Sequence, residues 1–177
     1  MSGSQFASSL STAPDWQNAT AEVCQEIGNQ LTDPATLAFV FISQHHAEHA
    51  EDIGRQIQTA TGCQAMIGCT GESIIGRNEE VEQGPAISLW TGVLPDIDAI
   101  PMQLSYDSEA DGGSILGWPD ATMEPWPDGS MFFLLADPFS FPTDGLIAQL
   151  NSREPGIPIV GGNASGAQAP QENRLVV

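Results

Sequence analysis

Apolar positions along this chain switch between helical and strand spacing, and the switches mark its elements. Trp16, Ala19, Val23, Ile27 and Leu31 recur every three to four residues, which predicts a helix over Asp15 to Leu31. Asp15 is placed to cap it, and Asp33-Pro34 to end it. Thr36 to Ile42 is a continuous apolar run, rich in aromatic and β-branched residues, and reads as a strand buried on both faces. Ser43 then stands where a cap belongs, ahead of an inner stripe of Ala50, Ile53, Ile57 and Ala60 that Gly62 stops. Cys63 to Cys69 is the next strand. Strand, helix and strand in so short a span make a βαβ unit, with parallel neighbouring strands and a right-handed crossover.

Beyond Gly76 the pattern changes. Glu79 to Gln83 reads as an acidic turn. Pro85 to Thr91 and Ile97 to Tyr106 are two strand-like runs separated by Gly92 and Pro95, close enough for an antiparallel hairpin. Asp107 to Asp128 is dominated by Gly, Pro, Asp and two Trp, and reads as loop. Met131 to Ala136 is a buried strand, Pro142 to Leu150 a short helix, and Gly156 to Val160 a short strand. Asn173 to Val177 opens another strand. The fold class expected is α/β: a mixed sheet with a βαβ unit, an antiparallel hairpin and packed helices. Met1 to Pro14 is Ser/Ala-rich, with no basic n-region and no long apolar core, and is expected to be a loose, disordered leader before a domain over residues 15–177.

Charge narrows the partners. The 177 residues carry 23 Asp and Glu against 4 Arg and no Lys, a net charge of -19. Such a surface repels nucleic acid and anionic lipid. Lysine-based phosphate loops and Schiff-base chemistry are excluded. No apolar run approaches the roughly 20 residues that span a bilayer. Three cysteines give no even framework and no CxxC pair, which points to the reducing cytoplasm. Cys63 and Cys69, six apart, would sit about 20 Å apart on one continuous strand, too far for a disulfide.

Candidate chemistry concentrates at strand ends. Cys69-Thr70-Gly71-Glu72 closes a predicted strand with small residues and one carboxylate, where backbone amides can approach a ligand. Gly161-Gly-Asn-Ala-Ser-Gly166 follows another strand and offers amides to a carboxylate or phosphate, without P-loop or GxGxxG spacing. His45 and His46 follow the strand next to Cys69. His45, His49 and Asp52 share a helix face, but the chain offers no clear fourth metal ligand. Cys69 with His45 or His46 would suit thiol catalysis, set against the commoner use of a small buried Cys as core filler. Phe139 and Phe141 suit a pocket wall or core packing. Trp118 and Trp126 suit a lid or an anchor.

Several segments in order resemble the N-terminal domain of the FIST (F-box and intracellular signal transduction) family: Phe41 to Ala47, Ile67 to Gly76, Glu80 to Trp90, Pro158 to Gly166 and Asn173 to Leu175. The resemblance implies a sensory module for small ligands such as amino acids, followed by a FIST C-terminal domain or joined to a signalling partner. It transfers no catalytic residues. The chain then reads as the N-terminal module alone, without that C-terminal partner domain.

The expected function is small-ligand binding in a cytoplasmic signalling protein, with no cofactor, no metal, no nucleic acid and no membrane. Cys69, Thr70, Gly71 and Glu72 form one wall of the expected cleft, His45 and His46 a second, and Gly161, Gly162, Asn163 and Ser165 a third. Glu72 would take a ligand ammonium and the glycine amides a carboxylate. The alternatives are a thiol-dependent hydrolase or transferase using Cys69 with His45 or His46, and an interaction module whose sheet edge pairs with a C-terminal domain.

Overall fold

A computed structural model describes residues 3–109, 113–119, 126–170 and 172–177. Its centre is a five-stranded mixed sheet whose strands lie, from edge to edge, in the order β1 (Gln5–Ser11), β6 (Ile87–Val93), β2 (Leu37–Ser43), β3 (Ala65–Gly71) and β11 (Leu175–Val176). β2 and β3 are parallel neighbours, joined through a 3-10 segment at Gln44–His49 and helix α2 (Ala50–Thr61). The βαβ unit is therefore present. β6 runs antiparallel to both β2 and β1, and β11 antiparallel to β3.

Alternation along β2 explains how the two faces are covered. Ala38, Val40 and Ile42 are wholly buried and cluster with Val23 and Ile27 of helix α1 (Trp16–Gln30) and Ile53 and Ile57 of α2. Burying an aliphatic side chain of this size is worth about 1.5–3 kcal/mol, so this stripe contributes strongly to stability. Asp15 caps α1 through its carboxylate, which accepts from the Asn18 amide at 2.9 Å. Phe39 and Phe41 point the other way and are only half-buried. Phe39 meets Trp90 of β6 and, edge-on, Phe133 of β9 (Phe132–Ala136).

β9 belongs to a second, smaller layer. It pairs in parallel with β10 (Ile159–Asn163) across helix α3 (Thr143–Arg153), and Phe132, Leu146 and Leu150 form its core. β4 (Ile74–Gly76) pairs with β5 (Glu79–Val81), and β7 (Ser105–Asp107) with β8 (Ser114–Leu116). No described helix is long and apolar enough to cross a membrane.

Four expectations need correction. The segment expected to be a loose leader, Met1 to Pro14, contains edge strand β1, whose inward Ser9 and Ser11 hydroxyls are satisfied by Glu26 and Glu22 of α1. The hairpin expected between Pro85–Thr91 and Ile97–Tyr106 does not form. β6 already has β1 and β2 on its two edges, and most of the second run carries no ladder; the antiparallel hairpins are β4–β5 and β7–β8. The acidic turn at 79–83 is in part strand β5. Ser43 caps nothing with its side chain, which instead accepts from the Ala86 amide at 2.8 Å. Part of the expected loop over Asp107 to Asp128, residues 110–112 and 120–125, lies outside the described residues.

Candidate functional site

Two small-residue segments, distant in sequence, meet at one end of the sheet. Cys69, Thr70 and Gly71 finish β3, and Gly161, Gly162 and Asn163 finish β10. The Gly166 amide donates to the Thr70 carbonyl at 3.3 Å, and the Glu72 amide donates to the Ser165 hydroxyl at 3.2 Å. Between them lies a groove of about 390 Å³. Phe41, Cys69, Thr70, Gly71, Ser73, Ile74, Ile75, Leu135, Gly161, Gly162, Asn163 and Ser165 line it. The expected turn after Val160 is therefore only partly a turn: Gly161 to Asn163 extend β10, and the chain bends after Asn163.

The glycines of this groove differ sharply. Gly161 has φ +152°, and a Cβ built there would fall on the Leu134 peptide, 2.7 Å from its carbonyl carbon and 2.9 Å from its nitrogen. Gly161 is thus required by the β9–β10 ladder. A Cβ on Gly162 would meet nothing within 4 Å. Its bareness serves no packing need and leaves the strand backbone open to the groove.

Of the three expected walls, two come together and one does not. Glu72 is exposed beside the groove, its amide pinned to Ser165, and its side chain is not part of the lining. His45 is exposed in the 3-10 segment, and His46 is 2% exposed. His46 lies beside the Ala13 backbone, its buried Nε2 without a hydrogen-bond partner among the described residues, and His49 stacks on Trp16 of α1, ring centres 4.9 Å apart. This segment turns His46 and His49 toward the helix-covered face, whereas the groove opens beside Phe41 and Cys69 on the other and has neither His45 nor His46 in its lining. His45 and His46 are therefore not a wall of this groove.

The same geometry bears on the thiol. Cys69 is buried, and desolvation pushes its pKa up to about 11. No hydrogen bond reaches its sulfur among the described residues. Asp52 pairs with Arg55 at 2.8 Å, and no group of three or more His, Cys, Asp or Glu is placed to hold a metal among the described residues.

Sequence reasoning missed the polar link behind the groove. The Thr70 hydroxyl bonds Asn173 Oδ1 at 3.2 Å, and Asn173 Nδ2 donates to Asp137 Oδ1 at 2.9 Å. Asp137 also accepts from the Ser140 hydroxyl at 2.6 Å and from the Phe139 amide at 3.4 Å. Burial alone would raise its pKa, but these donors hold the carboxyl below its usual range. The signal was the lone Asp closing a buried strand, in Asp137-Pro-Phe-Ser140.

Comparison with known proteins places the chain. The model of the FIST N domain matches residues 36–177. An uncharacterized protein of Mycobacterium tuberculosis, found in two strains, is 32% identical over 169 residues, which are 94% of this chain and 42% of that protein. An uncharacterized protein of Mycobacterium bovis is 29% identical over 166 residues, 93% of this chain and 41% of that protein. The chain thus spans about two fifths of the length of these relatives.

Proposed function

We propose, from the premise that this chain belongs to the FIST N domain family, that it is the ligand-receiving part of a sensory protein and binds small metabolites, amino acids among them, in the groove between β3 and β10. The family generally serves as a sensory domain in signal transduction, and a FIST N domain typically pairs with a FIST C domain. The single observation that supports the site is the convergence of Cys69–Gly71 and Gly161–Ser165 on one groove. A groove of this size falls within the roughly 300–1,000 Å³ usual for small-ligand sites. The exposed strand end at Gly162 offers peptide groups to a ligand carboxylate, and Glu72 at the margin a partner for an ammonium. The proposed working unit is residues 15–177 together with the β1 strand and a C-terminal partner domain, acting in the cytoplasm, where its three free cysteines stay reduced.

A thermal-shift panel of the twenty amino acids and common carboxylates tests the reading. At least one compound should raise the Tm, since a ligand at about 100 times its Kd adds roughly 2.7 kcal/mol. Gly162→Leu, which projects a side chain from the one bare position, should abolish that shift while leaving the unliganded Tm close to wild type. A panel without any shift, or a shift that survives Gly162→Leu, removes the proposal.

A further inference from the structure

A second cavity lies on the other side of Leu135, which lines both spaces. It measures about 360 Å³ and sits between the sheet's open face at Ile67 and the smaller layer. Trp118, Phe132, Phe141, Leu146 and Leu150 supply apolar and aromatic wall. Among the side chains of this wall, one is a carboxylate, that of Asp137, on a residue only 8% exposed.

We propose that this cavity binds an organic ammonium with an apolar, arylalkyl-sized body, its cationic head on the Asp137 carboxylate and its body among Phe132, Phe141 and Leu146. First, the carboxylate is held by three neutral donors, Ser140, Asn173 and the Phe139 amide, and no arginine or histidine pairs with it among the described residues. Those donors keep it ionised, and its oxygens retain acceptor capacity for a charged donor. Second, a carboxylate on a largely apolar wall favours a cation more than a surface carboxylate does, because less water screens the pair. Aromatic walls add attraction for the same charge sign. Third, a net charge of -19 on the chain concentrates cations and repels anions at any opening. This cavity is separate from the groove proposed above, although Leu135 lines both and Asn173 links Asp137 to Thr70 of the groove wall.

Titration of 2-phenylethylamine against its neutral isostere 2-phenylethanol, followed by calorimetry on the whole chain, tests the assignment. The amine should bind about tenfold or more tightly than the alcohol, the usual scale of a hydrogen bond to a charged group. Asp137→Asn should erase that preference and leave the alcohol's affinity unchanged, and Gly162→Leu should alter neither. Should Asp137→Asn fail to fold, nuclear Overhauser contacts from the wild-type-bound amine to the Leu146 and Leu150 methyls give a separate readout. Equal affinity for the two probes, binding of neither at millimolar concentration, a preference that survives Asp137→Asn or is lost in Gly162→Leu, or contacts absent from those methyls would each overturn it. None of these outcomes depends on whether an amino acid binds the groove.

Discussion

Replacing Gly161 by Ala isolates the packing demand of the groove from its chemistry. The new methyl would sit against the Leu134 peptide, its register partner on β9, at a backbone φ of +152°. Backbone strain of this kind costs about 1–3 kcal/mol. Forcing an extra carbon into packed structure costs a further 1–3 kcal/mol or so. Taken together, about 4 kcal/mol is at stake in a domain whose whole stability is about 5–15 kcal/mol. For a chain of this length, roughly 2–4 °C is lost per kcal/mol, so the Tm should fall by about 8–16 °C. Gly162→Ala is the control: with nothing within 4 Å of its Cβ, it should stay within about 0.5 kcal/mol of wild type. Thermal melts followed by far-ultraviolet circular dichroism, run side by side, measure both. A Gly161→Ala protein melting within about 1 °C of wild type would refute the claim that β10 needs glycine there.

Leu146→Ala should cost about 2–5 kcal/mol in urea unfolding, because Leu146 is 1% exposed at the centre of the smaller layer; a loss under 1 kcal/mol or so would mean that this layer contributes little to the cooperative unit. Cys69, with its pKa raised to about 11, should be a thiolate in only about one molecule in a thousand at pH 8, against roughly a quarter for a free thiol. Peptide-resolved iodoacetamide labelling should therefore find it far slower than glutathione, and equal rates would refute the assignment. His46, buried near Asp15, His45 and His49, has its pKa lowered chiefly by desolvation, so below pH 6.5 the unfolded chain binds a proton that the folded one refuses. Stability should be full above pH 6.5 and decline as pH falls from there to the folded pKa. His46→Gln should flatten that slope, and an unchanged slope would place its origin elsewhere.

The βαβ unit was legible because each of its signals is local: an unbroken apolar run at 36–42, an apolar stripe at helical spacing, and Gly62 between them and the next strand. β1 was not, because half of its inward positions are serines. Their burial is satisfied by Glu22 and Glu26, an arrangement made across the fold and invisible in hydrophobic pattern. At the site, the two glycine-bearing segments stood out by composition, and the structure does bring them together. The histidines were misplaced because sequence proximity to a strand end does not say toward which face the next turn swings. A 3-10 segment, held by the Trp16–His49 stack and the Ala13 contact, decides it. Asp137 escaped notice since its partners, Asn173 and Ser140, are fixed only by the tertiary arrangement.

The strand order also governs timing. Gln5 finds its ladder partner in Val93, while Leu37 can pair with Ala65 much sooner. At a synthesis rate of about 5–20 residues per second, β1 leaves the ribosome several seconds before any partner exists for it. An oily strand left waiting that long would invite aggregation. Gln5-Phe-Ala-Ser-Ser-Leu-Ser11, with its three serines, can wait in water at little risk. The polarity that makes this strand inconspicuous in the sequence thus suits it to being made well before its partner and placed late.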